Sequence, residues 1–521
     1  MQDVASSTMN GAEALVRTLH GAGVDVCFAN PGTSEMQFVD ALDRTGLMRC
    51  CLCLYEGVAT GAADGFARMA GLPALTLLHL APGLANGAAN LHNARKARTP
   101  MLTLVGDHAV RHLVHDAPLT ADVAGAARPF ADWTRTATDP ATLGADAAAA
   151  LAASLSRGGQ GAALVSPADI GWNPGGVVAA PVAPAPRDAM EPGAPQAAVA
   201  ALRRPGALLH VGGSTLEDAA SLALAAGIAA ACGARLMAPT SNRRIEHGAG
   251  RAQVARLPYP VDMALEALAP FDRAVLVEAA PPVAFFAYPD KPSLLLRPDC
   301  AVTTLAGPRG DGRAALRALA DALGVKPAAA SDAPRPAAPL PGPITAGTLA
   351  AAVASALPDD AIIIDESITA GRDVYAACAG APPMSWLAIT GGAIGIGLPL
   401  ALGAALGGGG RPVVALQADG SAMYTLQALW SHARENANVT TVVLANRGYE
   451  ILKQELLRVG ANPGRSALDL LEMARPAVDF VSLARGMGVD GVRIDCARAL
   501  RDAIADAAGR PGPFVIEAVI A

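Results

Sequence analysis

Short, uninterrupted apolar runs recur along this chain, and each is followed by a longer stretch with apolar residues at helical spacing. In the front third they fall at residues 25–29, 50–54, 74–78 and 101–105. In the middle they fall at 207–211 and 274–278, and in the back third at 361–364, 413–416 and 441–444. Strands that are apolar on both faces and alternate with helices predict parallel sheets covered on both sides. Two Pro/Ala-rich stretches, 173–195 and 326–343, interrupt the pattern. Proline removes backbone donors and stiffens such segments into extended spacers. They divide the chain into 1–175, 190–328 and 343–521. The expected fold is α/β, with three doubly wound parallel-sheet domains. Ligands of such sheets gather beyond the carboxyl ends of the strands.

Composition narrows the partners. Over 521 residues, 52% are hydrophobic and 17% charged, which is ample for a buried core and unlike a disordered chain. A net charge of −6 recommends neither nucleic acid nor an anionic membrane. The eight cysteines suggest no disulfide framework; the three in the run 50–54 read as buried strand thiols. Met1–Ser7 has neither a basic start nor an apolar centre, so no secretory signal is expected there. The uncharged stretch 387–410 is long enough to span a bilayer, but it carries nine glycines and Pro399. Its Gly-Gly-Ala-Ile-Gly-Ile-Gly series reads as close backbone packing near a ligand. A soluble, cytoplasmic protein is expected.

Two segments carry candidate chemistry. Asp419, in Ala418-Asp419-Gly420-Ser421, and Asn446 close two apolar strands and lie 27 residues apart. That spacing suits one strand–helix–strand unit, so both side chains can face one point. A carboxylate, an amide oxygen and a loop carbonyl are hard donors that suit Mg²⁺ completed by phosphate oxygens. Gly420 allows close backbone approach, and the helix after Ser421 offers free N–H groups to phosphate. An ordinary βα turn is the competing reading, since Asp-Gly is common there. Glu56, in Tyr55-Glu56-Gly57, ends another apolar run and opens a helix of small residues. It is either a charge favoured by the helix dipole or a buried catalytic carboxyl, and the segment alone leaves both open.

Taken with Asn30-Pro31-Gly32-Thr33, Pro82-Gly83-Leu84-Ala85-Asn86-Gly87 and 391–399, these segments resemble the thiamine-diphosphate-dependent decarboxylase and carboligase superfamily. Acetolactate synthase, pyruvate decarboxylase and benzoylformate decarboxylase belong to it. The resemblance covers nearly the whole chain. It implies pyrimidine-binding, central and diphosphate-binding domains in that order, of the pyruvate decarboxylase type. It also implies homodimers or homotetramers with active sites between subunits. By the same resemblance Glu56 would hydrogen-bond the cofactor's aminopyrimidine ring. Asp419, Asn446 and the Gly448 carbonyl would hold Mg²⁺. Gly420, Ser421, Ser367 and Thr369 would contact the diphosphate, and Ile394 would prop the cofactor into its bent form. Asn30, Pro31, Gly32, Gly392 and Tyr449 complete the implied cofactor set. The family's usual Gly-Asp-Gly is Ala418-Asp419-Gly420 here, and its usual Asn-Asn is Ala445-Asn446, so some loop hydrogen bonds must be replaced.

The implied reaction is decarboxylation of a 2-oxo acid to an enamine, which is protonated to an aldehyde or ligated to a second carbonyl. His79 follows the run 74–78 and matches a catalytic histidine of benzoylformate decarboxylase. His247 falls near that enzyme's second histidine. Thr33 stands where that enzyme contacts substrate carboxylate through a serine. Residues 116–123 resemble the same enzyme, and Pro118-Leu119 replaces the Phe-Gln pair typical of acetolactate synthases. The central domain's single Gly212-Gly213 turn is a weak flavin signal, and FAD is not expected. His108, His112 and His115 read as loop residues. Two other classes compete: a flavin- or nicotinamide-linked oxidoreductase, which lacks its GxGxxG here, and a catalytically silent cofactor-binding paralogue, suggested by Ala418 and Ala445.

Overall fold

The structure, a computed structural model, describes residues 9–329 and 332–521; Met1–Ser7 lies outside them. The front domain carries β1 (Val26–Asn30), β2 (Arg49–Leu52), β3 (Leu75–Leu78), β4 (Met101–Asp107), β5 (Trp133–Thr136) and β6 (Gly161–Pro167). They form one parallel sheet in the order β2-β1-β3-β4-β6-β5. Strands β3, β4 and β6 are buried along their whole length. That is why they read as continuous apolar runs rather than alternating ones. Cys51 and Cys53 are buried as expected, but Cys50 lies on the open edge strand β2 and is exposed.

The middle stretch holds β7 (Ala207–Val211), β8 (Arg235–Ala238), β9 (Ile245–His247), β10 (Ala255–Arg256), β11 (Arg273–Val277) and β12 (Ala301–Ala306). Five of them make a parallel sheet, β10-β8-β7-β11-β12. The back domain holds β13 (Ala361–Glu366), β14 (Met384–Ala388), β15 (Val413–Ala418), β16 (Val439–Ala445), β17 (Asp490–Ile494) and β18 (Phe514–Val519). Its order is β17-β18-β16-β15-β13-β14-β9. Strand β9 is the exception to parallel pairing. It leaves the middle stretch and pairs antiparallel with β14, covering an edge that would otherwise be open.

The domains share cores. One apolar cluster runs from Phe28 and Val58 in front to Leu398, Val413 and Val443 behind. Its hinge is the helix Glu56–Ala70 against the helix Gly397–Gly407. The two backbones are so close that a β-carbon at Gly65 would overlap the Leu400 carbonyl. Each helical glycine costs about 1 kcal/mol of propensity, which this close packing offsets. A second cluster joins middle and back domains through Leu209, Val275, Ile363 and Trp386. Among the described residues no helix is long and apolar enough to cross a membrane. The helix Gly397–Gly407 is buried between sheets instead.

Candidate active site

The front cluster sits beyond the carboxyl ends of the adjacent strands β2, β1, β3 and β4. Glu56 is the first residue of its helix and is buried, 6% exposed. Its Oε2 accepts from Asn86 Nδ2 at 3.0 Å. The chain leaves β1 through Asn30-Pro31-Gly32 into a short turn, Thr33–Glu35. Thr33 is exposed, whereas Glu35 is fully buried. The Glu35 carboxylate gathers three donors: Gly32 N–H at 2.8 Å, Ser34 Oγ at 2.6 Å and His79 Nδ1 at 2.8 Å. A carboxylate only accepts, so His79 carries its proton on Nδ1 and keeps Nε2 free. A β-carbon at Gly106 would collide with Glu35 Oε1, so glycine there makes room for the acid.

Sequence analysis did not single out Glu35. The available signal was an acid three residues after a turn glycine, a capping-box spacing. Its partner His79 is 44 residues away, a relation no local pattern carries.

The back cluster sits beyond β13, β15 and β16. Asp419 is 3% exposed. Its Oδ1 accepts from Gly420 N–H at 2.8 Å and its Oδ2 from Arg447 N–H at 2.6 Å. Burial raises the Asp419 pKa, and these backbone donors oppose the rise. A buried carboxylate in this position favours a cation beside it. Asn446 Oδ1 accepts from Gly448 N–H at 3.1 Å, and the Gly448 carbonyl accepts no hydrogen bond from the described residues. The bond from Arg447 N–H joins the carboxylate after β15 to the loop after β16 that carries the amide oxygen and the free carbonyl, a donor set that fits Mg²⁺. Among the described residues no three His, Cys, Asp or Glu cluster.

Both departures from the family pattern are accommodated. Ala418 has φ −67° and ψ 143°, extended backbone that needs no glycine. The loop after Ala445 is held by backbone pairing, Met473 N–H to Arg447 O at 2.8 Å and Tyr449 N–H to Leu471 O at 2.9 Å. Tyr449 packs over Gly420, where a β-carbon would lie 2.6 Å from its ring.

The remaining expected contacts divide. Ser421 Oγ is turned inward, donating to Ala418 O and accepting from Gln417 Nε2 at 2.7 Å. Ser367 Oγ donates to Asp365 at 2.7 Å. Thr369 is half-buried with no side-chain partner among the described residues. Gly392 is exposed and Ile394 half-buried, on a turn held from below by Glu366. That buried acid, also missed from sequence, accepts from Gly395 N–H and Gly397 N–H, each at 2.6 Å, and from Gln417 at 3.0 Å. Phe285, half-exposed, closes on Gly392 from the middle domain, with Phe286 stacked edge-on beside it.

The structure does not bring His247 to this group. It is 1% exposed on β9, stacks on Tyr375 at 4.1 Å and spends Nε2 on the Tyr375 carbonyl. Burial lowers its pKa to about 4, so it is a neutral packing residue. In the middle domain, the turn after β7 is filled from within: Ser214 Oγ donates to Glu278 at 2.7 Å.

Among the described residues no hydrogen bond joins the Glu56 cluster to the Asp419 cluster of the same chain. The back domain's Gly391–Ala393 segment bonds Asn93 instead. Asn93 lies two turns, about 10 Å, beyond Asn86 along the helix Leu80–Ala97.

Residues 9–125 match the thiamine pyrophosphate enzyme N-terminal TPP binding domain, and residues 373–518 match the corresponding C-terminal TPP binding domain. Over 520 residues the chain is 49% identical to the putative acetolactate synthase large subunit IlvX of Mycobacterium tuberculosis, covering 98% of this chain and 99% of that one. It is 28% identical to benzoylformate decarboxylase of Pseudomonas aeruginosa, over 96% and 98% of the two chains. The thiamine diphosphate-dependent 4-hydroxybenzoylformate decarboxylase of Rhodococcus jostii has the same fold, with a TM-score of 0.84 at 23% identity over 98% of this chain and 99% of that one.

Proposed function

The chain belongs to the thiamine pyrophosphate enzyme family, of the acetolactate synthase and benzoylformate decarboxylase type, and from that premise we propose that it is a Mg²⁺-dependent 2-oxo acid decarboxylase releasing an aldehyde. The observation that carries this reading is His79, pinned through Nδ1 by buried Glu35 with Nε2 left free, two strands from Glu56 in the sheet. When bound, thiamine diphosphate supplies the electron sink for loss of carbon dioxide.

The chain's own residues then divide the work. Asp419, Asn446 and the Gly448 carbonyl would hold Mg²⁺ against the diphosphate, with Thr369 as a further contact to it. Ile394 would support the cofactor's middle. Glu56 would hold a proton toward the aminopyrimidine ring, a task suited to a carboxyl shielded from water. Thr33 orients the substrate carboxylate through its hydroxyl. His79 Nε2 delivers the proton that completes the aldehyde. Each site would take its front cluster from one copy of the chain and its back cluster from another, as the family resemblance implies. Phe285 and Phe286 give the mouth an aromatic wall, which favours an aryl side chain on the substrate.

The test is a panel of 2-oxo acids, including benzoylformate and pyruvate, with thiamine diphosphate and Mg²⁺. Carbon dioxide, aldehyde and acyloin are measured together. The expected result is one equivalent of aldehyde per carbon dioxide, fastest with the aryl acid. Acyloin as the main product would replace this reading with carboligation, and no carbon dioxide from any acid would end it.

A further inference from the structure

Strands β3, β4 and β6 lie side by side in the front sheet, with Leu78 level with Val105 and Gly106 level with Ser166. His79 follows Leu78, so His79, Gly106 and Ser166 form one row across three strands. Side chains in one row point to the same face of a sheet. Beneath this row that face is apolar. Leu77, Leu104 and Leu164, each two residues earlier, pack in one cluster with Phe38 of the helix Met36–Thr45. Glu35, just before that helix, fills the middle of the row, in the place where Gly106 has no side chain. His79 flanks the carboxylate on one side and Ser166 on the other.

The two flanks differ in their hydrogen bonds. Oε2 accepts from His79 Nδ1 and from Gly32 N–H, each at 2.8 Å. Oε1 accepts only from Ser34 Oγ, at 2.6 Å, although an ionised carboxylate has about four acceptor positions. Ser166 Oγ is fully buried and has no hydrogen-bond partner among the described residues. A hydroxyl left unpaired in an apolar core is destabilising, and alanine would fill the same space without that cost. One strand spacing, about 4.8 Å, separates Ser166 from the place the carboxylate occupies. A turn about the serine χ1 or one bridging water closes that gap.

We propose that Ser166 is a positioning residue for His79: its hydroxyl donates to Glu35 Oε1, directly or through one water, and so steadies the carboxylate that holds the imidazole. This rests on the reading of His79 as the group that delivers the proton to the product. A second hydroxyl shares the negative charge of Glu35 and tempers its pull on the Nδ1 proton. The ring then releases its Nε2 proton more readily.

The test uses the holoenzyme, with thiamine diphosphate and Mg²⁺ bound and its histidines labelled with nitrogen-15. The His79 signals are identified by their loss in His79→Gln. In Ser166→Ala the carboxylate pulls harder on its remaining donors, so the Nδ1 proton resonance moves downfield. The kcat for decarboxylation falls about threefold with KM unchanged. Ser166→Cys, a weaker donor, gives a smaller downfield shift and serves should the alanine variant fail to fold. Leu164→Val, two residues earlier on the same face, lowers the unfolding midpoint and leaves the resonance in place. An unchanged or upfield resonance in Ser166→Ala, or an equal shift in Leu164→Val, would overturn the proposal. The resonance is read without substrate. A downfield shift in a protein that decarboxylates no 2-oxo acid therefore keeps the contact between Ser166 and Glu35 and overturns only the reaction assigned to His79.

Discussion

At the scale of single residues, a buried carboxylate decides which nitrogen of His79 can move a proton. Glu35 accepts from Nδ1, so the free nitrogen is Nε2. Glu35→Gln keeps the shape and an acceptor for Nδ1 but removes the charge that steadies a protonated ring. Its kcat should fall by roughly one order of magnitude with little change in KM. Glu35→Leu removes the acceptor as well and should cost about a further tenfold. Nitrogen-15 NMR separates orientation from mere damage: the wild type shows protonated Nδ1 in its neutral ring, and Glu35→Leu loses that preference. An unchanged tautomer in Glu35→Leu would contradict the assignment. His79 itself was legible, because it follows an apolar run at a matching motif. Glu35 was not, because its importance lies in a contact across 44 residues.

At the scale of elements, the glycine-rich segment before the helix Gly397–Gly407 is a shaped turn resting on one acid. Glu366 takes Gly395 and Gly397 N–H groups on its two oxygens. Burial raises its pKa, and the donors around it lower it again. Glu366→Gln would turn one of those oxygens into a donor facing another donor. The loss is about 2 kcal/mol, felt mainly by the turn carrying Ile394. The cofactor Kd should therefore rise roughly 30-fold while the unfolding midpoint moves little. Calorimetry with thiamine diphosphate and Mg²⁺ reads the first, and thermal melting the second. A large fall in midpoint with unchanged Kd would place the role in the core instead. Element type and parallel pairing were readable from the apolar runs because buried parallel strands have no polar face to confuse them. The hydrogen bonds that hold the loop after Asn446 were not, since Leu471 and Met473 reach that loop through backbone atoms that any sequence provides.

At the scale of the whole molecule, three buried imidazoles tie stability to pH. His210, His247 and His432 each have a pKa lowered by burial to about 4, against 6.5 when exposed. The unfolded chain binds more protons between those values, so stability is complete above pH 6.5 and falls as pH drops towards 4. Each contributes about 3 kcal/mol to that loss. The urea midpoint should fall steeply between about pH 7 and about pH 5, and a flat midpoint would contradict it. That the strands gather into three sheets was legible from the apolar runs; that the three residues of β9 cross to the back sheet was not, because so short a strand has no periodicity to read. The pairing of chains is the step furthest from sequence, and it has a sharp consequence. If each site takes Glu56 from one copy and Asp419 from another, a Glu56→Gln chain and an Asp419→Ala chain are both inactive alone. A mixed dimer of the two has one site with both defects and one with neither. Random pairing makes half of the dimers mixed, so equal amounts refolded together should recover about a quarter of wild-type activity. A site built within one chain would recover nothing, because every copy would still lack one of its two ends.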